Sequence, residues 1–445
     1  MSMIDSFETN VPSGWKVPGR KRRFGLVTLL AALMLIASTG APASAGGDMG
    51  EAPRTVRFAT FNASLNRTFE GELADNLSAP YDGTDPASSI EARRRWQAAN
   101  VAEVIQRTRP DVLLINEFDY DAAGAALAGF QENYLGVSQN GADPIVYPYT
   151  FNAPSNTGVP SGVDLDNSGA VGGPNDAFGF GFFPGQFGMV VLSMYPIDHD
   201  GARTFQNFLW SDMPGNLIPT DFYSAEAIEV FRLSSKSHWD VPIEIPGPGP
   251  QTTTVHFLTS HPTPPVFDGP EDRNGKRNHD EIRFWADYVH PGRSGYIYDD
   301  DGNVGGLPGE ARFVIAGDQN ADPLDGDSVA AAIDQLLKHP KIADPAPTSL
   351  GGVEAAAQGG ANDTHRGDPA LDTADFADGA PGNLRVDYVL PSKRMQVADT
   401  AVFWPPLDDD LSRLTGVFDF GQFLQDGIGY PTSDHRMVWA DIRVH

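Results

Sequence analysis

The sequence predicts an α/β fold: short β-type runs recur along its length, and helical patterns lie between several of them. Seven such runs, each bounded by Gly, Pro, Asp or Asn, cover 56–61, 112–115, 189–192, 255–259, 313–316, 386–390 and 437–442. Their shortness and their Val, Ile and Phe content suit buried strands. Between the first two, Ile90, Trp96, Ala99, Val101, Val104 and Ile105 recur among charged neighbours and predict a helix over 90–107. Further helices are expected over 279–289 and 328–337. The loops at 150–186, 244–251, 291–310 and 351–383 are rich in Gly, Pro and Asp. Loops of that length inside a compact domain are functional or disordered.

The first 45 residues read as a secretory signal peptide. Arg20, Lys21, Arg22 and Arg23 precede an apolar run from Phe24 to Ile36, and Ala43-Ser44-Ala45 supplies a small-residue cleavage site. The run is shorter than the roughly 20 residues a spanning helix needs, so no stable membrane anchor is expected. The paired arginines leave both the Sec and the Tat route open. Residues 46–445 have no internal repeat and no clean linker, and are read as one elaborated domain that is secreted to the extracellular space.

The chain contains no cysteine. That excludes a disulfide framework, a thiolate nucleophile and a Cys-type zinc site. The formal net charge is −28 at pH 7, and removal of the basic leader makes the remainder more acidic still. Such a field opposes nonspecific attraction to polyphosphate backbones. It does not exclude a nucleic-acid substrate, because divalent cations invert the local potential at a site.

Polar residues stand at the ends of the strand candidates: Asn62 after the first, Glu117 after the second, His261 after the fourth, and Asp318 and Asn320 after the fifth. Asp387 lies at the start of the sixth, and Ser433-Asp434-His435 precedes the seventh. Carboxylates at strand ends commonly serve as solvated or capping groups, so each alone is weak. His256, within a strand, reads as structural, and His365 as an exposed loop residue. Arg385 could touch a phosphate or form a surface ion pair.

The order and spacing of these segments resemble the endonuclease/exonuclease/phosphatase superfamily, which includes pancreatic-type deoxyribonuclease. Seven segments carry the resemblance: Arg57 to Asn62, Asp111 to Glu117, Gly188 to Ile197, Thr259 to Pro262, Gly317-Asp318-Gln319-Asn320, Arg385 to Val389, and Ser433-Asp434-His435. The resemblance implies a four-layer α/β/β/α sandwich with two mixed sheets and a site in a cleft at one edge. It also implies attack of activated water on a phosphate ester, without a covalent enzyme intermediate. On that reading Glu117 is the principal Mg²⁺ or Mn²⁺ ligand, joined by Asp434. Asp318 positions or deprotonates the water, while Asn320 and Asn62 orient it and the phosphoryl oxygens. His435 contacts phosphate or acts as acid/base, Asp387 fixes its tautomer, and His261 is a second phosphate-stabilising or proton-transferring group. Nuclease-like members often carry a second acid soon after the first-strand Asn, whereas here Ala63-Ser64-Leu65 follows.

A separate run, Asp164-Leu165-Asp166-Asn167-Ser168-Gly169, has oxygen donors at alternate positions, as at the start of an EF-hand-type calcium loop. Asp164, Asp166 and Ser168 are therefore candidate ligands of a structural Ca²⁺, although the terminal Glu is missing and an Asx-rich turn explains the same residues. The expected function is a secreted, divalent-metal-dependent phosphoesterase, with an extracellular nuclease as first reading. A phosphatase or phospholipid phosphodiesterase of the same fold, and a non-catalytic exported binding protein, are the alternatives.

Overall fold

The computed structural model describes residues 54–247, 250–419, 421, 423, 427 and 429–444. The leader expected at 1–45 lies outside them. Thirteen strands are formed by these residues: β1 (Arg54–Leu65), β2 (Val112–Phe118), β3 (Tyr149–Phe151), β4 (Met189–Ser193), β5 (Arg203–Thr204), β6 (His238–Pro246), β7 (Thr252–Ser260), β8 (Arg312–Asp318), β9 (Ala374–Asp375), β10 (Asn383–Leu384), β11 (Asp387–Pro391), β12 (Gln396–Val402) and β13 (Val438–Val444). One mixed sheet has the order β12-β13-β1-β2-β4-β3, and a second has the order β11-β8-β7-β6-β5.

Period-2 alternation explains why these runs pack as they do, since successive side chains leave a strand on opposite faces. In β1, Val56 and Phe58 point into the core between the sheets, while Ala59 and Phe61 point outward. Val112 and Leu114 of β2 do the same against Leu113 and Ile115. The second sheet mirrors this: Val255, Phe257, Val314, Ala316 and Val389 face inward, and Leu258, Phe313, Ile315, Tyr388 and Leu390 face outward. Both faces of both sheets are buried, so each outer face needs a helical cover.

Helices supply those covers. After α1 (Glu72–Leu77), the long α2 (Ile90–Thr108) lays Ala98, Val101, Ala102 and Ile105 on the first sheet. Ser89 caps it, its hydroxyl accepting from Ala92 N at 3.0 Å, and Arg109 ends it in a left-handed conformation (φ 51°). After α3 (Ala125–Phe130) and α4 (Ala225–Val230), α5 (Arg273–Tyr288) lays Ile282, Trp285 and Ala286 on the second sheet. The result is the four-layer α/β/β/α sandwich with two mixed sheets. No helix among the described residues is long and apolar enough to cross a membrane.

All seven expected strands are present, and the differences lie elsewhere. The loop expected at 244–251 is shorter: β6 runs to Pro246 and β7 starts at Thr252, and these two residues pair antiparallel. Pro242 and Pro246 hide β6 from a propensity reading, but Trp239, Val241, Ile243 and Ile245 alternate into the inter-sheet core. The helix expected at 328–337 contracts to Asp334–Leu337, because Ala331 turns the chain at φ 67°. Helix α5 begins six residues earlier than 279, within a polar stretch whose role is to hold loops. Ile90, read as part of the α2 stripe, is exposed.

Gly317 follows the fifth expected strand and stands just before Asp318. Its φ is +146°, and a methyl group there would collide with the Ser260 carbonyl of the neighbouring β7. Gly317→Ala is therefore expected to destabilise the protein by ~2 kcal/mol or more, read as a lower denaturant midpoint at unchanged m-value. A midpoint equal to that of the parent would show that β7 and β8 have room to separate.

Candidate active site

Topology brings the chemistry-bearing residues to one edge. β1 and β2 are parallel, with Asn62 opposite Asn116. β7 and β8 are parallel, with Thr259 opposite Ala316, and β11 runs antiparallel to β8 with Asp387 opposite Asp318. β13 enters antiparallel to β1, Val438 opposite Thr60, so the Ser433-Asp434-His435 segment before it reaches the same edge. Two sheets thus deliver polar groups from their strand ends into a common cleft.

Asp318 is the hub. Its Oδ2 accepts from Asn62 Nδ2 at 3.1 Å and from Asn320 Nδ2 at 3.3 Å, and lies 3.4 Å from His261 Nε2 and 3.6 Å from His435 Nε2. Its Oδ1 accepts from Asn320 N at 2.8 Å. Asn62 Nδ2 also donates to Glu117 Oε1 at 3.1 Å, which links the two carboxylates. Behind His435, Nδ1 is 2.9 Å from Asp387 Oδ2, and that oxygen also accepts from Thr373 Oγ1 at 2.9 Å. Asn62, His261, Asp318, Asp387 and His435 are buried, whereas Glu117, Asn320 and Asp434 are partly exposed. Glu117 and Asn320 have φ of 59° and 51°. Left-handed backbone at non-glycine residues is sustained only where the surroundings dictate it.

The electrostatics divide the two imidazoles. Burial opposes charge on His435, but Asp387 and Asp318 flank it and hold its pKa well above the ordinary histidine value. Burial also dominates at His261 and, with Lys236 nearby, lowers its pKa despite Asp318. Burial would raise Asp318, yet His435, His261 and Asn62 together hold it below the usual carboxylate range. At neutral pH the cleft therefore contains an ionised Asp318, a protonated His435 and a neutral His261. Burial pushes Asp387 up against the pull of His435, so the proton between these two is tightly held.

Asn62, Glu117, His261, Asp318, Asn320, Asp387 and His435 are all brought together. Asp434 is adjacent: its carboxylate accepts from Ser433 Oγ at 3.4 Å, and Ser433 Oγ lies 3.0 Å from Ser64 Oγ. Ser64 thus occupies the place where the second acid was sought. Arg385 is paired with Asp344, Nη1 to Oδ2 at 2.9 Å, and His256 with Asp240 at 2.8 Å. Among the described residues, ligand-type side chains converge within 4.8 Å in two groups, Asp318-Asp387-His435 and Asp164-Asp166-Asp176. In the second, Asp176 joins the two expected acids, whereas the Ser168 hydroxyl turns to Ala170 O at 3.2 Å.

Several positioning residues carry no signal of their own in the sequence. Asn116 is fully buried, and its Oδ1 accepts from Asp318 N at 3.2 Å and Thr60 Oγ1 at 3.3 Å, tying the sheets together. Thr373 Oγ1 accepts from both Val386 N and Asp387 N at 2.9 Å. Helix α2 contributes Gln97, whose Nε2 donates to Ser64 O at 3.0 Å and Thr432 O at 2.8 Å. Helix α5 contributes Asn278, donating to Thr263 O and Gln319 O, both at 2.9 Å, and Glu281, accepting from Ser235 N and Thr263 N, both at 2.6 Å.

A protein-family model described as the endonuclease/exonuclease/phosphatase family matches residues 59–435. Among solved structures, the chain is similar to an endonuclease/exonuclease/phosphatase from Beutenbergia cavernae, at 17% identity and TM-score 0.44, covering 88% of this chain and 72% of that one. It is also similar to truncated TDP2 from Caenorhabditis elegans, at 14% identity and TM-score 0.38, covering 88% and 98%. Sphingomyelinase C from Streptomyces griseocarneus matches at 15% identity and TM-score 0.40, covering 87% and 99%. No curated protein matches the chain.

The His435–Asp387 pair yields a signed expectation. Removing the carboxylate charge in Asp387→Asn takes away a group that raises His435, so its pKa falls. The alkaline limb of the rate profile should move down by about one pH unit or more, and kcat/KM on any turned-over phosphate ester should drop ~10²- to 10⁴-fold. An unchanged alkaline limb would assign that limb to another group.

Proposed function

The chain belongs to the endonuclease/exonuclease/phosphatase family, and from that membership we propose that it is an exported, divalent-metal-dependent phosphoesterase that acts by activated water, with nucleic acid as its first substrate. Its family acts on phosphate esters. The observation that carries the reading further is the buried Asp318 carboxylate, flanked by two imidazoles and two carboxamides.

An ester phosphorus is shielded by anionic oxygens, so the site must both orient a water and neutralise charge. Asp318, held ionised, accepts a hydrogen bond from that water and aims its lone pair at phosphorus. Asn62 and Asn320 keep the carboxylate from rotating. As the P–O bond to the leaving group breaks, His435 is placed to donate its Nε2 proton to the departing oxygen or to a phosphoryl oxygen. Asp387 stabilises the imidazolium and keeps Nδ1–H pointed away from the substrate. Asp318, ionised, is available to take the proton that the water sheds, and neutral His261 keeps its Nε2 turned to that carboxylate.

The donor set fits a hard cation. Glu117 offers a partly exposed carboxylate with only Asn62 bonded to Oε1, Asp434 offers a second partly exposed carboxylate next to His435 in the chain, and cysteine is absent. Mg²⁺ or Mn²⁺, which favour carboxylate oxygens and retain water, suit such residues. When bound, the cation supplies charge neutralisation at the phosphoryl oxygens.

The acidic surface is the specific observation favouring a second reading, a small or zwitterionic phosphate ester in place of a polyanion. Hydrolysis of supercoiled DNA, RNA, sphingomyelin and inositol phosphates with Mg²⁺, Mn²⁺ or Ca²⁺ separates the two. Metal-dependent turnover, abolished by chelator and reduced at least ~100-fold in folded His435→Ala, is expected on nucleic acid. Turnover confined to the lipid or the inositol phosphates would replace the nuclease reading, and no turnover on the panel would contradict the phosphoesterase.

A further inference from the structure

Lys236 stands outside every motif in the sequence, yet it lies beside the cleft. It precedes β6 by two residues, and the register that sets His238 opposite Ser260 puts it alongside the His261-Pro262 turn. The residue is only 7% exposed. Its backbone is fixed on both sides: Asn156 N donates to Lys236 O at 2.8 Å, and Ser235 N donates to Glu281 Oε1 at 2.6 Å. The same Glu281 carboxylate accepts from Thr263 N at 2.6 Å, so one buried acid on α5 positions both the lysine segment and the His261 loop.

The ammonium group has no hydrogen bond and no ion pair among the described residues. Three carboxylates act on it electrostatically, Glu281, Glu117 and Asp318, two of them site residues. None is close enough to pair with it. The side chain is buried along most of its length while the unpaired ammonium at its tip keeps access to solvent, so an anion arriving there can complete it.

We propose that Lys236 is a phosphate-binding residue of this site, its ammonium donating to a non-bridging oxygen of the phosphate ester that Asp318 and Glu117 flank from the other side. The inference rests on the phosphoesterase reading above and adds a cation supplied by the protein itself. It also accounts for the surroundings. A metal bound at Glu117 and a lysine across the cleft would grip different oxygens of one phosphoryl group, which fixes its orientation toward the water on Asp318.

The test compares inorganic phosphate binding, by ³¹P NMR line broadening in the presence of Mg²⁺, for the parent protein, Lys236→Met and Lys236→Arg. The methionine variant should weaken phosphate binding about tenfold to a hundredfold, and arginine should recover most of the loss. The phosphate-free methionine variant should melt no lower than the parent, since it keeps the buried stem and loses a charge with no partner. Phosphate affinity unchanged in Lys236→Met, or no phosphate binding by the parent, would overturn the assignment. Should the methionine variant not fold, Lys236→Gln is read by the same criterion. If the parent hydrolyses no ester, the phosphoesterase reading fails by itself, while the phosphate comparison still decides the role of the lysine.

Discussion

A single buried carboxylate constrains this structure more than any other group. Asp318 sits at the end of a central strand of one sheet and is bonded by a side chain from the other, Asn62 Nδ2 at 3.1 Å. Taking a carboxylate out of water costs several kcal/mol after relaxation, and the surrounding donors exist to offset that. The sheets cannot slide relative to each other without leaving the charge unsolvated. Asn116 makes the same connection through the backbone, accepting from Asp318 N while anchored by Thr60. Even the absent side chain at Gly317 belongs to this constraint, because it lets β8 approach the Ser260 carbonyl just before the carboxylate.

The outer helices do more than cover apolar faces. Each has a buried polar side that holds the loops bearing the reactive groups. Gln97 and Asn100 of α2 donate to the carbonyls of Ser64, Thr432 and Pro431, and so fix the approach to Ser433-Asp434-His435. Asn278 and Glu281 of α5 grip the turns after β7 and β8 and the segment before β6. The layers therefore transmit position inward: apolar packing sets where the helices lie, and their amides and carboxylates then set where the loops lie. Rigid elements with a supporting shell of hydrogen bonds are what a water-activating site requires.

Much of the fold and most of the site were legible for one reason. Each reactive residue stands at the end of a short apolar run, so the period-2 strands and the polar residues at their ends announce each other. Asn62, Glu117, His261, Asp318, Asn320, Asp387 and His435 all follow that pattern. What was illegible lacks it. β6 is interrupted by Pro242 and Pro246, and Lys236 lies before it in a run of serines that resembles a turn. Gln97, Asn278 and Glu281 are polar residues in helices, indistinguishable by sequence from solvated positions. Asp176, which follows the Asp164–Gly169 run in the sequence, is brought back to it by the folded loop, with Leu165 N donating to Asp176 Oδ1 at 2.7 Å. The polar first turns of α5 were missed because their partners are backbone groups of distant loops, which leave no trace in hydrophobic periodicity.

The charge separation around Asp318 is the centre of this account, and histidine ¹⁵N NMR of the metal-free protein reads it directly. His435 should carry protons on both ring nitrogens through neutral pH and titrate well above the ordinary value, while His261 should remain neutral at the same pH. His435 titrating near 6.5, or His261 holding the charge instead, would contradict the arrangement in which one ionised carboxylate is flanked by one charged and one neutral imidazole.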